Sequence, residues 1–318
     1  MANPDIPTWS PSQQTELVAG TPPGGGQDRP ARILIGILNQ QRSFTPPMKL
    51  TNIPGRGGGN GWDYLRGCAG DPHKLAISSP TVISNKLLGV SDLDFTDLTP
   101  LANLYTEYPI FIVRPDSSLN SADDLLQRLK SDASTVRTAI ATAIGNTNHI
   151  ALARVTAHAG GNVKALAIDV FDSARYAIGH VLEGKAELGV ITAASAVPEL
   201  TAGTLRTIAV SAPKRLGGLF QQAPTWLERG ISCDIGMWRG IFAAGNLKPA
   251  EIAFWEEALA EATASEEWKA ELASKYWTES FETGPNVLAS LQREQLLIAD
   301  ALDKLDLLPR TQARATHA

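Results

Sequence analysis

The sequence predicts an α/β fold, and three observations support this prediction. The chain has 318 residues, of which 43% are hydrophobic and 19% charged, so it can bury a large core without disulfides or metal ions. Short apolar runs alternate with amphipathic helical patterns along most of the chain, and glycine-rich turns follow several of the runs directly. Alternation of this kind is typical of βαβ units, so we expect mostly parallel sheets.

Eight apolar runs predict strands. They are 15–19, 48–53, 74–78, 109–114, 136–142, 164–171, 187–192 and 205–211. The best-defined helical patterns are 28–41, 121–130, 173–182 and 249–264. From 248 to 308 the sequence reads as almost entirely helical, with Trp255, Trp268 and Trp277 as core residues. We therefore expect helices packed on an existing sheet in this part of the chain, rather than a further domain.

Composition and spacing exclude several classes of protein. With 28 Lys and Arg against 33 Asp and Glu, the net charge is −5, which argues against a nucleic-acid-binding surface. Two cysteines, Cys68 and Cys233, exclude a disulfide framework and a four-cysteine zinc site, although a single bridge stays open. The five histidines match no metal-binding spacing, so we expect no metal and no cofactor.

Two further patterns concern the membrane and export. No apolar run reaches the ~18–20 residues that a transmembrane helix needs. Residues 1–20 lack the basic and apolar regions of a secretory signal. This leaves two possibilities open: a cytosolic protein, or an exported protein whose signal has been removed.

The glycine-rich turn at 21–28, TPPGGGQD, lies between a predicted strand and a predicted helix. Glycine allows a sharp turn and close approach of the backbone to a ligand. The helix N-terminus that follows offers unpaired N–H groups, so the segment predicts an anion site. Asp28 can cap the helix or accept a hydrogen bond from a ligand. Taken alone, the turn is equally compatible with a purely structural role.

Three more turns repeat this strand–turn–helix arrangement: 53–61, 142–149 and 171–175. In the second of them, His149 either bonds to the backbone at the helix start or contacts a ligand. Arg175 in a first helical turn opposes the helix dipole, which is a weak indication of function. None of the turns matches a dinucleotide fingerprint, a P-loop or a nucleophile elbow, so no motif favours an enzyme.

Taken in order, these segments resemble the solute-binding proteins of tripartite tricarboxylate transporters, the Bug family. The similar segments are 23–25 with Asp28, Ala31 and Arg32; 52–58; 71–79; 145–149; 171–184; 205–210; Arg215; 223–225 with Glu228 and Gly230; and 238–240. The resemblance implies a two-lobe type II periplasmic-binding-protein fold, with a ligand cleft between lobes joined by two crossover strands. With crossings near Arg114 and Met237, lobe one would comprise 15–113 and 238–318, and lobe two 114–237.

The resemblance also implies the ligand-binding residues, and it implies no catalytic ones. In lobe one they are Pro23, Gly24, Gly25, Gly26, Asp28, Ser78 and Ser79; in lobe two they are Ala143, Gly145, Asn146, Thr147, Ser173, Ala174, Arg175 and Thr192. The chain departs from the family pattern at Phe171, Ser173 and Asn146, where Tyr, Gly, and Ser or Thr are usual. Arg239 and Arg175 are further cations that can face the cleft, and Trp62 is a candidate wall. We expect Gly25→Val to block the ligand while leaving the fold near intact.

The implied function is that of a periplasmic receptor, a monomer and not an enzyme. It would capture a small carboxylate, either a di- or tricarboxylate or an aromatic acid, and deliver it to the membrane subunits of a tripartite transporter. Two alternatives stay open: a soluble carboxylate sensor that signals to a partner, and an α/β enzyme that acts on an anionic substrate.

Overall fold

The computed structural model describes residues 9–42 and 44–309. Residues 310–318, assigned above to lobe one, lie outside that range, as do residues 1–8 of the segment searched for an export signal. The strands are β1 (Glu16–Ala19), β2 (Lys49–Asn52), β3 (Lys74–Ser78), β4 (Thr99–Glu107), β5 (Pro109–Val113), β6 (Thr138–Ala141), β7 (Ile168–Phe171), β8 (Leu188–Thr192), β9 (Arg206–Val210), β10 (Met237–Ala243) and β11 (Thr278–Thr283). They form a six-stranded sheet, in the order β11-β4-β10-β3-β1-β2, and a five-stranded sheet, in the order β7-β6-β8-β5-β9.

Helices cover both sheets. They are α1 (Asp28–Arg42), α2 (Gly59–Arg66), α3 (Thr81–Leu87), α4 (Ala122–Asp132), α5 (Thr147–His158), α6 (Ala174–Leu182), α7 (Val197–Thr201), α8 (Pro249–Ala264), α9 (Glu266–Lys275) and α10 (Pro285–Lys304). None of the helices in the described part of the chain has both the length and the apolarity needed to cross a bilayer.

Each of the eight apolar runs contains a strand, which confirms those predictions. The expectation of mostly parallel sheets is wrong, because β10 runs antiparallel to β3 and β4, and β5 runs antiparallel to β8 and β9. Parallel pairing is confined to β1 with β2 and β3, and to β6 with β7 and β8. Both sheets are therefore mixed.

The expectation that 248–308 is almost entirely helical is also wrong, because β11 lies within it and pairs with β4. The tryptophan prediction is confirmed. Trp255 and Trp268 are almost fully buried, and Trp277 stacks on Tyr105 of β4 with ring centroids 4.0 Å apart. These aromatic side chains fix α8, α9 and the approach to β11 against the first sheet, since large buried rings contribute strongly to packing.

The chain passes between the sheets at two places. The first is Tyr108, between β4 of the first sheet and β5 of the second. The second is the segment before β10, which begins at Met237 and belongs to the first sheet. The strand Pro109–Val113, assigned above to lobe one, therefore pairs within the second sheet. We propose that the first lobe boundary lies at Tyr108 rather than at Arg114, and that the second lies beside Met237.

Candidate functional site

A buried polar cavity lies where the carboxyl ends of parallel strands from the two sheets face each other. Thr21 follows β1, Ser79 follows β3, Thr142 follows β6, and Thr192 ends β8. The cavity is small, with about 40 Å³ accessible to the centre of a water molecule. Its lining residues are Thr21, Gly26, Gln27, Ser79, Thr81, Ala141, Thr142, Asn148, Ala174, Thr192, Ser195, Met237 and Arg239. In α/β proteins, ligands bind at this edge of the sheet.

The turn at 21–28 is held by hydrogen bonds to its own side chains. Thr21 Oγ1 accepts from the backbone N–H groups of Gln27 and Asp28, both at 3.3 Å. Gln27 Oε1 accepts from Gly20 N at 2.7 Å. Gly26 borders the cavity, and a Cβ at this position would lie 3.1 Å from Arg239 Nη2. The turn therefore contributes backbone and small polar groups to one wall of the cavity.

Asp28 is buried and stabilises this turn through hydrogen bonds. Its carboxylate accepts from Gly24 N at 2.8 Å, Asn52 Nδ2 at 2.9 Å and Arg32 Nε at 2.8 Å. Burial raises the pKa of Asp28, but these bonds, with Arg32 the strongest, outweigh burial and lower it. Because its oxygens are already engaged and it does not line the cavity, the structure places Asp28 as a support of the turn rather than at the ligand position.

Other predicted residues of lobe one also lie away from the cavity. Pro23 and Gly24 are exposed. Gly25 faces its own turn: a Cβ would lie 2.6 Å from Thr21 Oγ1. The reason given above for Gly25→Val is therefore wrong, since the side chain would disrupt the turn instead of meeting a ligand. Ser79 lines the cavity, whereas Ser78 is fully buried within β3 beside it.

In the second sheet, Asn146 and His149 are structural. Asn146 caps α5 by accepting from His149 N at 3.0 Å, and its amide nitrogen donates to Ala141 O. His149 Nδ1 accepts from Gly145 N at 2.9 Å. Burial lowers the pKa of His149 from 6.5 to about 4, so its imidazole is neutral at pH 7. The backbone-bonding alternative for His149 is the correct one.

Gly145, Ala143 and Thr147 do not line the cavity between the sheets. Gly145 has φ +75°, and a Cβ there would lie 2.2 Å from Leu88 Cδ1, at the end of α3. Ala143 faces Gly57, and Thr147 lines a separate cavity of about 310 Å³. Gly145 and Ala143 therefore mark contacts between the two halves of the molecule.

The turn into α6 contributes a free helix N-terminus. Ser173 is the N-cap residue of α6, but its side chain makes no capping hydrogen bond. Ala174, the first residue of the helix, lines the cavity. Arg175 is exposed and does not line the cavity. The unfavourable placement of this cation in a first helical turn therefore did not indicate a ligand contact. Across the cavity wall, Thr192 Oγ1 and Ser195 Oγ lie 3.1 Å apart.

Arg239 is the charged residue among those that line this cavity. It lies on β10, and its Nη2 donates to Glu107 Oε1 of β4 at 2.6 Å. Both side chains are nearly fully buried. Arg239 Nε is buried with no hydrogen-bond partner among the described residues. Of the two arginines expected to face the cleft, Arg239 lines the cavity and Arg175 does not.

Most of the polar lining was not predicted from the sequence. The lining residues absent from the predicted set are the polar Thr21, Gln27, Thr81, Thr142, Asn148 and Ser195, and the apolar Ala141 and Met237. Three of them share a position, since Thr21, Thr142 and Ser195 come within three residues of a strand's carboxyl end. Searching that position after every predicted strand would have found them.

The prediction that Trp62 forms a wall of the cleft is wrong. Trp62 is in the core, where its Nε1 donates to Ile77 O at 3.1 Å. Cys68 and Cys233 are both free thiols.

Two mixed sheets that enclose a buried polar cavity between them define the class of bilobal α/β binding proteins. Comparison with known proteins gives the family. The family described as the tripartite tricarboxylate transporter family receptor matches residues 37–306. The chain belongs to this family.

Individual relatives are distant in sequence but similar in fold. Protein BugT of Bordetella pertussis is 23% identical over 301 residues, which cover 92% of this chain and 87% of BugT. MatC of Rhodopseudomonas palustris, solved with bound malate, superimposes with a TM-score of 0.82 at 19% identity, covering 92% of this chain and 100% of MatC. An R. palustris protein solved with adipate gives a TM-score of 0.85 at 19% identity, covering 94% and 99%.

Proposed function

We propose that this protein is a periplasmic receptor that captures a small carboxylate between its two lobes and delivers it to the membrane subunits of a tripartite transporter. The observation that carries the proposal is the cavity, which is buried, polar and lined from both sheets. Binding between lobes lets both halves contribute contacts and excludes water when they close. Family membership supports the transport role.

The lining fits a carboxylate by its chemistry. Six hydroxyl groups, two amides and one guanidinium border the cavity, so a carboxylate oxygen would find donors on several sides. A hydrogen bond to a charged group contributes about 1.5–3 kcal/mol, and micromolar binding needs about 8 kcal/mol after the cost of association. Several such bonds from both lobes reach that value, whereas one glycine-rich turn does not. The relatives solved with malate and adipate support the same ligand class.

The proposed ligand contacts combine predicted and newly found residues. They are Thr21, Gly26, Gln27, Ser79, Thr81, Thr142, Asn148, Ala174, Thr192, Ser195 and Arg239. Among the described residues that line the cavity there is no histidine, cysteine or carboxylate, so no base is in place to activate a serine or threonine hydroxyl. This supports binding without turnover.

Calorimetric titration tests the proposal. The protein is unfolded, dialysed and refolded to release any co-purified ligand, then titrated with mono-, di- and tricarboxylates and aromatic acids of three to eight carbons. We expect saturable binding, one site per chain, for at least one acid, which NMR then recovers unchanged after hours of incubation. Sugars, amines and nucleotides serve as controls. Binding confined to those controls, or conversion of the acid, would contradict the proposal.

A further inference from the structure

A buried ion pair lies on the strands that carry the chain between the two sheets. Glu107 is the last residue of β4, directly before the crossing at Tyr108, and Arg239 is near the start of β10. In the antiparallel register Met237 faces Glu107 and Arg239 faces Tyr105. The Arg239 and Glu107 side chains are 6% and 3% exposed, so water screens neither charge strongly. The two formal charges cancel at the floor of the cavity.

Two of the three other positive groups at the cavity, which are helix N-termini, are already engaged by the protein's own side chains. Three helices of eight residues or more begin beside it: α1, α5 and α6. The first turn of α1 holds the Asp28 carboxylate, and α5 is capped by Asn146. Only α6, of these three helices, starts with no side-chain cap. Because a helix N-terminus carries about half a positive charge, this one uncapped start can compensate part of the charge of one carboxylate and has nothing left for a second.

Arg239 nevertheless keeps hydrogen-bonding capacity. Its guanidinium has five N–H donors, of which the contact with Glu107 uses Nη2, and the buried Nε has no partner among the described residues. The opposite walls offer hydroxyl and amide groups, such as Thr142, Asn148 and Ser195, that can donate and accept. The cavity thus offers many partners for polar groups and only one place for a full negative charge.

From this arrangement we infer that Glu107 limits the ligand to a single negative charge: the cavity selects a monocarboxylate whose far end carries neutral hydrogen-bonding groups over the dicarboxylate of the same length. A second carboxylate would be desolvated without a counter-charge, close to Glu107, which is unfavourable in a site that excludes water. This inference rests on the proposed function and specifies the ligand class of the same cavity.

The experiment compares acids that differ only in charge. The probes are the dicarboxylates from malonate to suberate and the monoamide of each, which replaces one carboxylate by a group of nearly the same shape. Calorimetry on the refolded wild-type protein should show the best monoamide binding roughly tenfold or more tighter than its diacid. Tighter binding of the diacid would overturn the inference. Absence of binding by every diacid and monoamide, and by the wider carboxylate panel, would instead contradict the proposed function.

A variant tests whether Glu107 causes the preference. In Glu107→Gln the positive charge of Arg239 is no longer cancelled. The affinity for the diacid should therefore rise roughly tenfold or more relative to the affinity for its monoamide. Glu256→Gln, which removes a half-buried carboxylate on α8 that does not line the cavity, should leave the monoamide-to-diacid affinity ratio unchanged. An unchanged ratio in Glu107→Gln would overturn the role of Glu107. If that variant does not fold, Glu107→Gln combined with Arg239→Gln removes both buried charges. Because the two charges already cancel in wild type, the monoamide should keep its advantage over the diacid in this double variant, and tighter binding of the diacid there would overturn the inference.

Discussion

At the level of single residues, several polar atoms at the cavity have incomplete hydrogen bonding. Asn148 donates to Ala141 O at 2.6 Å, but its Oδ1 is buried with no partner among the described residues, as is Arg239 Nε. Leaving such a group unpaired costs about 1–3 kcal/mol. A ligand that bonds to these atoms recovers that free energy, so ligand binding stabilises the protein through atoms that already have fixed positions.

Gly26 should control access to Arg239. A methyl group at this position would lie 3.1 Å from Arg239 Nη2 and would have to displace the guanidinium. We expect Gly26→Ala to weaken carboxylate binding roughly tenfold, equivalent to about 1.4 kcal/mol, with little change in Tm. Calorimetry and thermal unfolding measure the two effects. Gly217→Ala is the matched control, because a Cβ there meets nothing within 4 Å; equal affinities in the two variants would contradict this view of Gly26.

Glu16 should make stability depend on pH. Burial raises the pKa of Glu16, but hydrogen bonds from Lys74, Thr51, Tyr64 and Lys49 outweigh burial and lower it from 4.5 to about 2. A carboxyl whose pKa is lowered by folding stabilises the protein above its unfolded pKa, and that stabilisation is lost as the pH falls towards the folded pKa. The contribution of Glu16 is therefore complete at pH 7 and disappears between pH 4.5 and about 2.

Denaturant unfolding of Glu16→Gln measures this contribution. At pH 7 we expect the variant to be about 2 kcal/mol less stable than wild type, the value typical of a hydrogen bond to a charged group. The difference should shrink steadily below pH 4.5. Glu279→Gln, at an exposed position on β11, should match wild type throughout. A difference that stays constant down to pH 2.5 would show that the charge of Glu16 does not contribute.

Residue roles were harder to predict from the sequence than residue positions. The turn at 21–28 does border the cavity, as its glycines suggested, but Asp28 supports the turn and Gln27 lines the cavity. Both are polar residues in one turn, and only the direction of each side chain decides between these roles. Similarly, Ser79 faces the cavity and Ser78 does not, because successive residues leaving a strand point to opposite sides.

At the level of elements, the sequence predicted the strands that lie within short, mainly apolar runs and missed β4, β10 and β11. Strand β11, TESFET, is polar because it forms the edge of its sheet and is only partly buried. Strand β10, MWRGIFA, is fully buried, but Arg239 and Gly240 interrupt its apolar pattern. Arg239 lines the cavity, so the residue that interrupts the apolar pattern of the strand is also one of the proposed ligand contacts.

The loop before α5 should control how closely the two halves approach. Gly145 contacts Leu88 of the first half, and a Cβ there would lie 2.2 Å from Leu88 Cδ1. We expect Gly145→Ala to separate the halves and weaken ligand binding by roughly tenfold. Adding Leu88→Ala makes room for the methyl group and should restore most of the affinity, which titration of the single and double variants measures.

A matched control separates contact from backbone strain. Gly160 has a similar φ, +80° against +75° for Gly145, but a Cβ there meets nothing within 4 Å. Gly160→Ala should therefore show the strain of alanine in this conformation, about 1 kcal/mol of stability, with unchanged affinity. If Gly160→Ala weakens binding as much as Gly145→Ala does, strain rather than contact with Leu88 explains the effect.

At the level of the whole molecule, we expect the lobes to separate when a ligand enters the cavity. Its polar lining is almost inaccessible: Ser79, Asn148 and Arg239 are each 5% exposed or less. We therefore expect a ligand to reach these residues when the two halves are apart. The two crossings beside the Glu107–Arg239 pair are the only covalent connections between the two sheets in the described part of the chain. The sequence alone indicated the two lobes through resemblance, because which strands share a sheet depends on long-range pairing that periodicity does not contain.

The central claim is that a carboxylate is held from both lobes at once, and one measurement tests it directly. The best-binding acid is titrated calorimetrically into Ser79→Ala, which removes a hydroxyl from the first lobe, and Thr192→Val, which removes one from the second with the shape retained. Ser274→Ala and Thr207→Val are the matched controls, since neither residue lines the cavity. We expect both cavity variants to lose roughly tenfold or more in affinity and both controls to bind as wild type does. A loss confined to one lobe, or no loss in either, would contradict binding between the lobes.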